Sequence, residues 1–181
     1  MTEQAVDLSK QHQRIAIIPM RVQISSKDYI PPYQHAEQED MIAKRLQQDL
    51  YFFLMKQKAK GKFAPSLMDI TSTQAVLNRH KLDTLTAVQL TQILQVDAVL
   101  FLNLSIERSH SSRVVAHMDS TLQKKVRIEE GTLNMRLFDA VSSQDIWTYR
   151  GLYSIGIGDS PVNAQSNTLY QAAKGLPYAK R

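Results

Sequence analysis

The sequence predicts an α/β (α+β) fold: a mixed β-sheet with a C-terminal antiparallel hairpin and helices packed against it. Three observations predict it. Two short apolar, β-branched runs, RIAIIPM (Arg14 to Met20) and DAVLFLNLSIE (Asp97 to Glu107), read as buried strands. A stretch of helical periodicity lies between them. A strand-rich stretch with a turn inside Met135 to Gly151 follows, and a helix closes the chain. Strands joined through helices are expected to be parallel neighbours.

Residues 1–13 are polar and aperiodic and are expected to form a flexible tether. Residues 14–178 are expected to form a single globular domain, and 179–181 a tail. Pro19 stops the first strand because it has no N–H for a ladder. The connection after it, to about Ala36, holds YIPPY (Tyr29 to Tyr33), whose two prolines favour a stiff, extended segment.

The clearest helix is expected from about Glu37 to Lys56, with Ile42, Leu46, Leu50 and Phe53 on one face. Glu37, Glu39 and Asp40 would occupy its first turn and Lys56, Lys58, Lys60 and Lys62 follow its last, as the helix dipole favours. Thr71 or Ser72 is expected to cap a short helix through about Arg79, and Asp83 or Thr84 a second one through Leu94. The strand at Asp97 opens with the apolar run Val99 to Leu102, then alternates, so it should be covered on both faces first and on one later. Arg113 to Met118 and Thr121 to Ile128 are weaker strands. Apolar parity changes between Val126/Ile128 and Leu133/Met135/Leu137, which predicts a bulge or break at Gly131. A strand from Asp145 to Ile155 and a helix from Asn163 to Lys174, ended by Gly175 and Pro177, complete the order.

The 181 residues are 43% hydrophobic, enough for a core, and the net charge is +5. That surplus permits an anionic contact without demanding one, and no aromatic-basic signature of nucleic-acid binding accompanies it. The absence of cysteine excludes disulfides and thiolate metal sites.

Chemistry-bearing motifs are scarce. His12, His35, His80, His110 and His117 form no metal-binding pair at helical spacing, and scattered solvated histidines account for them better. SIGIGDSP (Ser154 to Pro161) lacks the lysine of a phosphate loop and reads as a loop after a strand. Glu37, Glu39 and Asp40 are explained by a helix start rather than by catalysis. No cofactor and no enzymatic site is expected. KQKAKGK could grip phosphate, lipid headgroups or an acidic polymer, although a solvated helix end is the simpler reading. Trp147, Tyr149 and Tyr153 alternate on one strand face and should pack across the sheet. Tyr29, Ile30, Pro31, Pro32 and Tyr33 combine stiffness with contact area and are the candidate partner-binding segment. Lys56, Lys58, Lys60 and Lys62 are the candidate basic patch.

RIAIIPM, LTQILQVDAVLFLNLS and MRLFDAVSSQDIWTYRG occur in that order. Together they resemble a superfamily of bacterial envelope lipoproteins that includes outer-membrane activators of peptidoglycan synthases, the curli-secretion lipoproteins and small lipoproteins of unassigned function. Ile18-Pro19 stands for the pattern's leucine-proline pair, Gln95 to Leu100 for its turn into the central strand, and Leu137 to Trp147 for its strand-turn-strand. KGLPY (Lys174 to Tyr178) looks like the ending of the smaller members. Val96 and Ser143 stand where the pattern favours glycine, and the lipid-bearing cysteine is not in this chain.

The resemblance implies a non-enzymatic, periplasm-facing adaptor or assembly component with envelope protein partners. It also implies a possible homo-oligomer, no nucleic acid, and a membrane contact only through a lipid anchor upstream of the chain. A cytosolic nucleotide- or nucleic-acid-binding domain is the alternative.

Overall fold

The computed structural model describes residues 3–26, 32–80, 85–117, 120–155 and 159–178. In chain order the elements are α1 (Glu3–Gln11), β1 (Arg14–Ile17), β2 (Arg21–Ser26), α2 (Pro32–Ala59), β3 (Ser66–Leu67), α3 (Ile70–Leu77), α4 (Ala87–Leu94), β4 (Ala98–His117), β5 (Ser120–Asp139), β6 (Gln144–Ile155) and α5 (Pro161–Lys174). The sheet is mixed. Its order is β3-β1-β4-β5-β6, with β2 also on β4; β1, β2 and β3 pair in parallel, and β4, β5 and β6 in antiparallel. The expected parallel pairing of the first strand with the strand at Asp97 is present, Ile15 lying opposite Ala98.

β1 and β2 lie end to end along one edge of β4. Ile15 pairs with Ala98 and Arg21 with Asn103, so one extra residue is accommodated around Pro19, where the ladder has no N–H to use. The buried Gln47 amide donates to the Ile17 carbonyl at 3.1 Å, satisfying the backbone next to the interruption. The expected loop after Met20 therefore contains a strand: Val22 and Ile24 alternate with polar residues, which is a half-buried strand pattern.

One sheet face packs on α2 and α5 through Ile15, Ile17, Leu46, Leu50, Leu100, Leu102, Met135, Leu137 and Leu169. The other is covered at one end by α3 and α4, where Leu77, Leu90 and Leu94 meet Ala16, Ile18, Val99 and Phe138. Val99 and Leu100 are therefore covered on both sides, whereas Asn103, Ser105 and Glu107 face outward and Leu102, Leu104 and Ile106 inward. This is the change of pattern that the sequence predicts along the strand.

Several boundaries differ from the sequence reading. The N-terminal segment expected as a flexible tether is helical from Glu3 to Gln11, and Ser9 and His12 are buried. The helix expected from Glu37 begins at Pro32, because proline is tolerated in a first turn that has no N–H to pair. Glu37, Glu39 and Asp40 are thus inside the helix and not in its first turn; Glu39 accepts a hydrogen bond from the Ile24 amide at 2.8 Å. Asp69, not Thr71 or Ser72, caps α3, accepting from the Ser72 amide. Asp83 and Thr84 lie outside the described residues, and Thr86 caps α4 through a reciprocal capping box with Gln89.

No break occurs at Gly131, which pairs with Ile106 and Tyr153 in an unshifted register. A Cβ there would lie 2.1 Å from Tyr153 Cε1, so glycine leaves room for the tyrosine ring. Inward parity simply continues from Leu133 through Gly131 to a polar residue, the buried Glu129. The register shift of the pair lies between Leu137 and Phe138 instead. Among the described non-glycine residues, Gln95 (φ 53°) and Ser143 (φ 55°) are left-handed, so the glycine-like position before the central strand is Gln95 rather than Val96. Asp97 then fixes the start of β1, its Oδ2 accepting from the Gln13 and Arg14 amides at 2.7 and 2.8 Å.

Candidate partner-docking surface

α2 is apolar around much of its circumference. Ile42, Leu46, Leu50 and Leu54 form its buried stripe, four residues apart. Phe53 flanks this stripe and stacks on Tyr170 of α5, ring centroids 4.9 Å apart. The opposite side carries large apolar side chains in water: Tyr33 is 69% exposed, Met41 63% and Phe52 68%, with Met55 partly exposed beside Phe52. Buried anchors prevent the helix from turning this side inward.

Tyr29, Ile30 and Pro31 of the candidate segment lie outside the described residues. Pro32 opens α2, and Tyr33 stands in its first turn with its hydroxyl accepting from Gln34 Nε2. Of the candidate basic patch, Lys56, Lys60 and Lys62 are exposed. Lys58 is not, since Nζ donates to the carbonyls of Ala64 and Pro65 at 3.2 and 2.8 Å and fastens the turn after the helix.

A buried polar network holds the N-terminal half of α2 to the sheet. Arg108 Nε donates to Glu129 Oε2 at 2.9 Å, and its NH1 donates to Gln38 Oε1 on α2 at 2.6 Å. Gln165 of α5 and the Tyr153 hydroxyl donate to Glu129 Oε1 at 2.9 and 3.1 Å, and Arg45 donates to Gln165. Glu129 is thereby paired as a buried carboxylate must be. Burial, followed by the Glu129 charge, pushes the Tyr153 hydroxyl well above its ordinary pKa, so it stays a neutral donor. The network joins α2, α5 and three strands at one point.

A second network resembles a catalytic relay in its connectivity. His12 Nε2 lies 2.6 Å from Asp139 Oδ1, and Nδ1 lies 2.5 Å from the Tyr178 hydroxyl. The neutral tautomer with the proton on Nε2 satisfies both contacts, donating to the carboxylate and accepting from the phenol. The three residues are at most 6% exposed, so substrate and water have no access to the imidazole. Burial and the charges of Asp139 and Asp97 raise the Tyr178 pKa, which keeps it protonated. The arrangement joins the two ends of the chain rather than serving chemistry. Ser9 Oγ, donating to the Pro177 carbonyl, adds to this junction.

Two concavities on the described residues are shallow. A cleft of about 160 Å³ lies between Pro19, Ala87, Phe101 and Arg136, where the Arg136 guanidinium covers the Phe101 ring at 3.9 Å and pairs with Asp145. A depression of about 460 Å³ on the outer sheet face is lined by Ser105, Glu107, Glu130, Thr132 and Leu152. Among the described residues, no group of His, Asp and Glu side chains is placed to hold a metal ion. No described helix is long and apolar enough to cross a membrane.

No family model matches the chain, and a search of curated proteins found no match. Solved structures give distant likenesses. Its structural neighbours include a bacterial lipoprotein. This is lipoprotein GNA1162 from Neisseria meningitidis, 12% identical, covering 90% of this chain and 96% of its own, with a TM-score of 0.46. PelC from Paraburkholderia phytofirmans, solved as a dodecamer, is 9% identical over 93% of this chain and 89% of its own, at 0.45. The LpoB C-terminal domain from Escherichia coli is 13% identical over 83% and 95%, at 0.37. Likenesses this distant leave the functional reading to the chain's own residues.

The sequence had pointed to Tyr33 and to the lysine run, but not to Met41, Phe52 and Met55. The signal was there: apolar residues lie all round Tyr33 to Ala59, more than one buried stripe uses. Neither buried network is legible in the sequence, because its bonded partners lie at least 12 residues apart and meet only in the folded sheet.

Proposed function

We propose that the protein is a non-enzymatic, periplasm-facing envelope component that acts as an adaptor or assembly factor, gripping a protein partner with the start of α2. The docking surface comprises the segment Tyr29 to Tyr33 and the exposed side of α2 as far as Met41. The observation that carries this reading is a large aromatic and a large thioether side chain held in water, Tyr33 and Met41, on a helix whose other side is fixed by buried leucines. Tyrosine and methionine give contact area at low ordering cost, and a rigid scaffold lowers that cost further. The Arg108–Glu129–Gln38 network supplies that rigidity.

The proposal predicts that replacing Tyr29, Ile30 and Tyr33 together with serine leaves the melting temperature nearly unchanged and abolishes partner capture from envelope extracts. A large fall in melting temperature would show that these side chains serve the protein's own core. Unchanged capture by a stable triple variant would place the docking surface elsewhere.

A further inference from the structure

The second half of α2 differs from the first in charge. Phe52, Met55, Lys56 and Ala59 are spaced by three, one and three residues and are all exposed, so they share one face over the last two turns. Lys60 and Lys62, just beyond the helix end, are exposed as well. Between Asp49 and Asp69 the chain has four lysines and no acidic residue. The surface is also rigid: Leu50 and Leu54 are buried, Phe53 is stacked on Tyr170, Lys58 clasps the following loop, and Gly61 turns with φ 69°.

We propose that this face is a docking surface for an anionic lipid bilayer, with Phe52 and Met55 entering the headgroup–acyl boundary and Lys56, Lys60 and Lys62 meeting the lipid charges. Lysines bordering exposed phenylalanine and methionine are the composition of an interfacial helix, whereas the core of a protein–protein interface is depleted in lysine. Charge complementarity selects anionic over neutral lipid. After the turn, Ser66 pairs with Arg14 at the start of β1, and the Phe63 ring lies 5.2 Å from Tyr178, which is bonded to His12. The basic turn therefore shares one end of the molecule with α1, and β4 carries the hairpin toward the opposite end. This contact goes beyond the adaptor reading and uses a different part of α2.

The test is cosedimentation of the purified chain with phosphatidylcholine vesicles and with vesicles that also contain phosphatidylglycerol. The expected result is binding to the anionic vesicles alone, weakened by salt. Lys56→Glu, Lys60→Glu and Lys62→Glu combined should lower partitioning ~10-fold or more, as should Phe52→Ser with Met55→Ser, both at unchanged melting temperature. Tyr33→Ser with Met41→Ser should leave vesicle binding intact, which separates this surface from the partner site. Absence of wild-type binding to anionic vesicles would overturn the proposal. So would equal binding by wild type and both variants, or lysine-dependent binding of a DNA duplex without vesicle binding.

Discussion

The Tyr178 hydroxyl lies 2.5 Å from Nδ1 of His12, a contact between residues 166 apart that joins the last described turn to the N-terminal helix. Through Nε2 of the same imidazole, both are tied to Asp139 at the end of β5. The segment before Arg14 is therefore part of the folded unit. Replacing His12 with alanine leaves a buried carboxylate without its partner and should cost about 3 kcal/mol. Deleting residues 1–12 should lower the melting temperature as well. A truncated chain that melts with the intact one would restore the tether reading.

Asp139 also sets a pH dependence. Its burial would raise the carboxyl pKa, but hydrogen bonds from Ser142 and His12 outweigh it and hold the group below its usual 3.8. A carboxyl whose folded pKa is depressed stabilises the fold above the unfolded value and loses that contribution as pH falls through the folded one. Stability should thus fall as pH drops below 3.8, and Asp139→Asn should flatten this limb while lowering stability at neutral pH. Chemical denaturation across this range checks it; identical acid limbs for the two proteins would refute it.

Trp147 is buried on the sheet face beneath α5, its ring stacked along Tyr149 with centroids 6.1 Å apart. Trp147→Ala should destabilise the protein by about 3–5 kcal/mol. A loss under ~0.5 kcal/mol would mean that the ring contributes no core packing.

Gly131 and Tyr153 should behave as one unit. Gly131→Ala forces the Tyr153 ring aside and should cost about 1–3 kcal/mol. In a Tyr153→Ser background the same change should cost far less. Additive losses in the double-mutant cycle would show that the ring does not occupy the glycine's space.

What could be read from the sequence, and what could not, follows the range of the interactions. The hairpin around Trp147, the inward leucines of α2 and the two-sided burial at Val99 are local periodicities, and they were legible. β2 was hidden by its serines, although Val22 and Ile24 carry the alternation. α1 was hidden because polar residues, Ser9 and His12, dock it, where hydrophobic periodicity has nothing to register. The parity change near Gly131 suggested a bulge because Glu129 occupies an inward position that only its distant partners Arg108 and Gln165 make tolerable. For the candidate site, the lysine run was visible as a charge pattern, but Lys58 could be set apart from it only by the loop carbonyls it binds. The exposed side of α2 required knowing which of its apolar stripes faces the sheet.

The central claim, that the start of α2 grips a protein partner, is tested most directly by photo-crosslinking in intact cell envelopes. A photoreactive phenylalanine analogue would replace Tyr33, Met41 or, as a control, Val141, which is 76% exposed on the hairpin turn. A discrete adduct of one size from positions 33 and 41, and none from 141, is the predicted result. Adducts from position 141 with none from 33 and 41 would contradict the account.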